Sequence, residues 1–132
     1  MNTNELKDFI FSTYPSYFAV EGTNENRFEI VLNKALFPKD IYIANDAILN
    51  VYGTEGSVSV YDLISLEGLD DNNLGLPFIE SYKSRNLDLK TLNEFMLRLI
   101  MDFVVNRLTE IQKQIKDFKA NMKLERISED FK

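Results

Sequence analysis

The side chains available for chemistry in this chain are carboxylates, lysines, tyrosines, serines and threonines, because its 132 residues include neither Cys nor His. The absence of Cys excludes disulfides, thiolate metal sites and cysteine nucleophiles. The absence of His removes the commonest general base and metal ligand, so a Ser-His-Asp triad and an ordinary zinc hydrolase site are excluded as well. Any catalytic site here would have to use carboxylate, lysine or hydroxyl chemistry.

One acidic segment, beginning at Asp70, has part of the spacing of a calcium-binding loop. Counted from Asp70, the third position is Asn72 and the sixth is Gly75, as such a loop requires. The fifth position is Leu74, which has no ligating side chain, and the twelfth is Ser81 instead of a bidentate glutamate. We therefore interpret the segment as a solvated acidic turn, and we predict no metal and no cofactor.

A second group of polar residues follows a spacing of four through an otherwise apolar stretch: Glu94, Arg98, Asp102 and Asn106. One interpretation is a buried polar site. The favoured interpretation is a ladder of ion pairs on a helix, because residues four apart lie one above the other. The chain contains no phosphate-binding or dinucleotide-binding glycine motif, and nothing points to a carboxylate pair of the glycosidase type. We expect the protein not to be an enzyme.

These polar residues lie on a segment, 91 to about 123, that predicts one long helix. Thr91 followed by Glu94 has the spacing of a capping box at its start. Eight successive a and d positions of a heptad pattern are apolar: Leu97, Met101, Val104, Leu108, Ile111, Ile115, Phe118 and Met122. Such a seam needs an apolar partner surface along its whole length.

The two halves of this helix differ in the residues beside the seam. From Leu92 to Val105 almost every face is apolar, which predicts burial under the sheet. From Arg107 onward only the seam is apolar. The helix would be about 50 Å long, which is more than a small head can cover. We therefore predict that the second half mediates association, through the side chains of Leu108, Ile111, Ile115, Phe118 and Met122.

The residues before the helix predict an α+β fold. Asn2 and Glu5 form a capping box for a short amino-terminal helix that ends before Pro15. Alternating apolar residues then predict an antiparallel β-meander of four to five strands, with a hairpin turn at Asn45-Asp46. The candidate strands are Tyr17–Glu21, Arg27–Asn33, Ile41–Ala44, Ala47–Tyr52 and Ser57–Leu66. Residues 67–89 are expected to be irregular, apart from a short element around Phe78 to Tyr82. The long helix packs on the sheet and extends as a coiled-coil-like segment.

The length suits one domain, with a head at residues 1–89 and the long helix at 90–132. The net charge of −6 is uneven, because residues 1–66 carry −5, residues 67–89 carry −3 and residues 90–132 carry +2. An acidic head repels phosphates, so we expect no direct binding to nucleic acid. The far half of the helix is locally basic, and its interleaved acids favour a solvated exterior over a phosphate or acidic-partner site; the basic residues are Lys113, Lys116, Lys119, Lys123 and Arg126.

The chain has no signal-peptide pattern and no apolar run long enough to cross a membrane, so we expect a cytoplasmic protein. Its abundance of Asn, Lys, Ile, Phe and Tyr is typical of a low-GC bacterium or its phage. We predict a non-enzymatic, self-associating interaction or assembly protein that binds itself and another protein. Two alternatives stay open: an acidic inhibitor or nucleic-acid mimic that blocks a basic cleft, and a small acidic assembly or secretion chaperone.

Overall fold

The computed structural model describes residues 1–69 and 76–130, and it has an α+β fold. The predicted short amino-terminal helix, antiparallel sheet and long carboxy-terminal helix packed on that sheet are confirmed. In chain order the elements are α1 (Thr3–Thr13), β1 (Phe18–Asn24), β2 (Arg27–Leu32), a 3-10 turn (Lys34–Leu36), β3 (Tyr42–Asn45), β4 (Ala47–Tyr52), β5 (Ser57–Val60), β6 (Leu63–Glu67), β7 (Phe78–Tyr82), β8 (Arg85–Asp88) and α2 (Glu94–Asp130).

Helix α1 begins with the predicted capping box. The Asn2 side chain accepts a hydrogen bond of 2.8 Å from the Glu5 backbone N–H, and the Glu5 carboxylate accepts one of 3.1 Å from the Asn2 N–H. Two amide groups that the first helical turn leaves without partners are thereby satisfied. The helix buries one face, formed by Leu6, Phe9 and Ile10, in the core.

Five strands form an antiparallel sheet in the order β1-β2-β4-β5-β8. Alternation along the strands sends one set of side chains toward the helices, as the two-residue period of a strand requires. That inner face includes the buried residues Phe28, Ile30, Leu49, Val51, Val58 and Val60. The sheet is therefore the surface on which the core of the protein is built.

A second sheet of three strands, in the order β3-β7-β6, corrects two expectations. The hairpin at Asn45-Asp46 is wrong, because β3 pairs in parallel with β7 and β4 pairs with β2. The single strand Ser57–Leu66 is also wrong, since the chain leaves one sheet after Val60 and enters the other at Leu63. The expected element around Phe78 is confirmed as β7.

Helix α2 begins later than the sequence indicated. The Asn93 side chain accepts a hydrogen bond of 2.9 Å from the Met96 N–H, whereas the Thr91 hydroxyl donates to the Asp88 carbonyl. The expected Thr91–Glu94 capping box is therefore replaced by a cap at Asn93. From Glu94 the helix continues for 37 residues, about 55 Å, without a break.

Candidate interaction surface

The five residues predicted to bind a partner lie on the distal half of α2, and the chain itself buries three of them. Leu108 and Ile111 are fully buried, and Ile115 is 3% exposed, within the same core as the sheet. Phe118 and Met122 are half-buried beside Ile41. The expectation that these side chains have no partner within the chain is therefore wrong for the first three. Their part in association stays a prediction.

The head covers more of α2 than the length argument allowed. Three contacts tie successive turns of the helix to the rest of the chain: Arg107 Nε donates to the Ile64 carbonyl (2.9 Å), Gln112 Nε2 donates to the Leu36 carbonyl (3.0 Å), and Lys119 Nζ pairs with Asp40 Oδ1 (3.0 Å). Strand β6 and the 3-10 turn supply two of these contacts. They extend the apolar surface under the helix beyond the main sheet.

The exposed apolar face of α2 is on its first half, opposite the seam. Phe95, Leu99 and Phe103 are spaced four apart and are 71%, 59% and 52% exposed. Leu99 lies about 200° around the helix from Leu97, which is fully buried. The expectation that almost every face of this half is buried is therefore wrong. Only the seam side of the helix meets the sheet.

Two residues of the second sheet continue this exposed face. Leu63 and Tyr82 are each nearly half exposed, and together with Phe103 they line a hollow of about 250 Å³. Leu63 and Tyr82 are direct partners across β6 and β7. We define the outer patch as these five side chains: Phe95, Leu99, Phe103, Leu63 and Tyr82. Large apolar patches of this kind mark interaction surfaces on proteins.

Charged residues border the outer patch on the side of α1. Asp102 Oδ1 accepts a hydrogen bond of 2.5 Å from the Tyr14 hydroxyl. The Arg98 guanidinium lies 5.2 Å from the centre of the Phe9 ring, within the range of a cation–π contact. Arg98 and Asp102 nevertheless remain exposed. Both side chains are thus held in place, and both face solvent beside the patch.

The hydrogen bond between Tyr14 and Asp102 has an electrostatic consequence. Burial, the hydrogen bond to Asp102 and the charge of that carboxylate together raise the pKa of Tyr14 to about 12, while Arg98 acts in the opposite direction. The phenol is therefore neutral at physiological pH and acts as a hydrogen-bond donor. A neutral phenol bound to a carboxylate holds α1 against α2 and does not act as a catalytic base.

Among the described residues, Asp62 is the one acidic residue whose side chain is buried. Its Oδ2 pairs with Arg85 at 3.1 Å, and its side chain is 7% exposed. Its Oδ1 and the Ser65 hydroxyl are buried without a hydrogen-bond partner among the described residues. The pair sits where the chain passes from β5 to β6, so its geometry suits a structural role at the corner between the two sheets.

The described residues hold no cluster of three or more Asp, Glu, Cys or His side chains that could bind a metal ion. The candidate calcium loop at 70–75 lies outside the described residues. Among the described helices, none is long and apolar enough to span a membrane.

Comparison of the chain with protein-family models, with curated proteins and with solved structures finds no significant match. The outer patch therefore has to be interpreted from its own residues. One sequence feature could have located it. The seam alone gives the helix one complete apolar side to face the core. Phe95, Leu99 and Phe103 lie on the opposite side, which the same sheet cannot also cover.

Proposed function

We propose that this chain is a non-enzymatic, self-associating interaction or assembly protein of the cytoplasm, and that it pairs with a second copy through the outer patch. The observation that carries the proposal is the exposure of Phe95, Leu99 and Phe103 on consecutive turns of one helix. Exposed polar side chains would be expected on the solvent face of a helix that has no partner. A second protein partner then binds the assembled form.

The area of the outer patch is of the right order for a weak dimer. A fully buried aromatic side chain removes about 150–250 Å² from water and a leucine somewhat less, so these three aromatic side chains and two leucines, which are 45% to 71% exposed, offer roughly 500 Å² on each copy. A standard interface buries about 800 Å² on each partner, and a polar rim supplies the remainder. Burial of the apolar part favours pairing, because each square ångström removed from water contributes about 25 cal/mol.

The charges beside the patch match those of a second copy. Arg98 and Asp102 are one helical turn apart on the same border. When two copies of α2 run antiparallel about a two-fold axis between these residues, each Arg98 faces the Asp102 of the other copy. A two-fold interface is self-complementary in this sense. The opposed charges favour a second copy of the chain over an unrelated apolar surface.

Size-exclusion chromatography with light scattering, over a range of protein concentrations, tests the proposal. We expect a concentration-dependent dimer for the natural chain and a monomer for Leu99→Asp. The matched control is Gln114→Asp, which introduces the same charge at an exposed position of α2 outside the patch. A natural chain that stays monomeric at high micromolar concentration contradicts self-association, and a Leu99→Asp variant that still dimerises contradicts the outer patch.

The second candidate function is an acidic inhibitor or nucleic-acid mimic. It is favoured by the position of Glu21 directly opposite Glu29 on β1 and β2, because like charges facing each other across strands are destabilising. Carboxylates held in this way would attract a basic cleft on another protein. Under this alternative, the double variant Glu21→Gln with Glu29→Gln unfolds at a higher temperature and loses salt-sensitive binding to its partner.

A further inference from the structure

A second surface, away from the outer patch, combines apolar hollows with lysines. The first hollow, of about 310 Å³, lies between Ile115 on α2 and the residues Phe37 and Pro38. The second, of about 290 Å³, lies between Phe118 and Ile41. Both have walls formed mainly by apolar side chains.

A third hollow adjoins these two, because it shares lining residues with each of them. It has a volume of about 430 Å³ and is bounded by the segment from Phe37 to Ile43 and by Leu76. It shares Phe37 and Pro38 with the first hollow and Ile41 with the second. We call the three hollows together the basic groove. Its floor combines the buried side chains of Phe37 and Ile41 with the exposed side chain of Leu76.

The charge of the basic groove opposes that of the whole protein. Of the described residues, five lysines and one aspartate line it: Lys34, Lys39, Lys116, Lys119, Lys123 and Asp40. Their formal charge is +4, whereas the chain carries −6, so all other residues together carry −10. Lys119 and Asp40 pair with each other at 3.0 Å, which leaves the excess positive charge on the other four lysines.

We infer that the basic groove binds an acidic peptide segment of a partner protein, one in which apolar side chains alternate with Asp and Glu. The hollows accept the apolar side chains, and the lysines at their rims meet the carboxylates. Charge of one sign around an apolar cleft attracts ligands of the opposite sign and raises their association rate.

A peptide fits the groove better than a nucleic acid does. Nucleic-acid sites use clustered Lys and Arg that track the phosphates, and aromatic faces on which bases stack. Among the residues that the structure describes, no arginine lines the groove, and the Phe37 ring at its floor is buried. The remaining charge of −10 on the protein would also repel a long polyanion. Short carboxylates separated by apolar side chains avoid both difficulties.

Fluorescence anisotropy with a labelled synthetic peptide, in which Glu and Asp alternate with Leu and Phe, tests this inference on the full chain. We expect saturable binding that weakens as salt rises. The double variant Lys116→Glu with Lys123→Glu should bind the peptide about tenfold more weakly, because each substitution replaces an attraction by a repulsion. The matched control, Lys90→Glu, changes an exposed lysine outside the groove and should leave binding unchanged.

Two further probes separate the apolar and ionic contributions. Leu76→Ser removes an exposed apolar side chain from the wall of the groove at little risk to folding. It should weaken the binding of the peptide but not the binding of poly-glutamate. The inference is overturned when the peptide does not bind, or when Lys90→Glu weakens peptide binding as much as the groove variants do. It is also overturned when poly-glutamate or a single-stranded oligonucleotide binds as tightly as the peptide. Leu99→Asp leaves the groove intact. If this variant no longer bound the peptide, the basic groove would not be a binding site independent of the outer patch.

Discussion

The Tyr14 hydroxyl donates a hydrogen bond of 2.5 Å to Asp102, a residue 88 positions further along the chain. This contact joins the carboxyl end of α1 to the border of the outer patch. Phe9, on the same helix, lies under the Arg98 guanidinium. The short amino-terminal helix therefore fixes both charged residues that border the exposed face of α2. A contact between residues far apart in the sequence therefore ties that face of α2 to α1.

The raised pKa of Tyr14 predicts a loss of stability at high pH. The folded state keeps the phenol protonated up to a pKa of about 12, whereas the unfolded chain ionises near the ordinary value of 10. The stabilisation is therefore fully present below about pH 10 and is lost as the pH rises toward 12. We expect Tyr14→Phe to lower the free energy of unfolding by about 1 kcal/mol at neutral pH.

Urea denaturation of the natural chain and of Tyr14→Phe, at a series of pH values, measures this effect. The difference in stability between the two proteins should shrink between pH 10 and 12. Tyr42→Phe is the control, because Tyr42 is exposed and its loss should change stability little at any pH. A constant difference between the natural chain and Tyr14→Phe across this range would contradict the assignment.

A pair of truncations on α2 tests which of its faces is core. Ile111→Ala removes methyl and methylene groups from a fully buried side chain and should lower the free energy of unfolding by about 2–5 kcal/mol. Leu99→Ala removes a similar volume from a side chain that is 59% exposed and should change it by less than about 0.5 kcal/mol. Both are measured by chemical denaturation at low protein concentration, where association contributes least. If Leu99→Ala lowered the free energy of unfolding more than Ile111→Ala did, the seam side of the distal half would be the exposed face and the outer patch would belong to the core.

Local features of this fold could be predicted from the sequence, whereas non-local ones could not. The Asn2–Glu5 capping box depends on residues three apart, and it is present as expected. The pairing of β3 with β7 joins segments more than thirty residues apart, and no short pattern specifies it. The polar pair Asn45-Asp46 has turn chemistry in either topology, so it predicted a hairpin that the sheet order excludes.

The exposure expected of Leu108, Ile111 and Ile115 was wrong for a similar reason, while their part in association stays a prediction. The heptad seam correctly located an apolar face that needs a partner surface along its length. Sequence alone does not state how far the head extends. The contact of Gln112 with the Leu36 carbonyl places the 3-10 turn beside the distal half of α2, where Leu36 and Phe37 lie close to the buried side chain of Ile115. What remained exposed was the side opposite the seam, where Leu99 lies.

The proposed pairing of Arg98 with Asp102 of a second copy can be tested by reversing these charges one at a time. In an antiparallel two-fold pair, Arg98→Glu places two carboxylates opposite each other at both symmetric contacts, and Asp102→Lys does the same with two cations. Each variant alone should therefore dimerise more weakly than the natural chain. An equimolar mixture should form a heterodimer, because every opposed pair then has one positive and one negative member.

Native mass spectrometry of the mixed variants, one carrying a mass label, measures the heterodimer directly, and sedimentation of each variant alone supplies the reference. We expect the heterodimer to exceed each homodimer by about tenfold, since two exposed ion pairs replace two repulsions. Asp102→Asn is the control for the contact with Tyr14, because its amide oxygen can still accept that hydrogen bond while the charge is lost. It should weaken the homodimer less than Asp102→Lys does. A statistical mixture of species would exclude the antiparallel arrangement while leaving association through the apolar residues intact, and a mixture of monomers alone would exclude association itself.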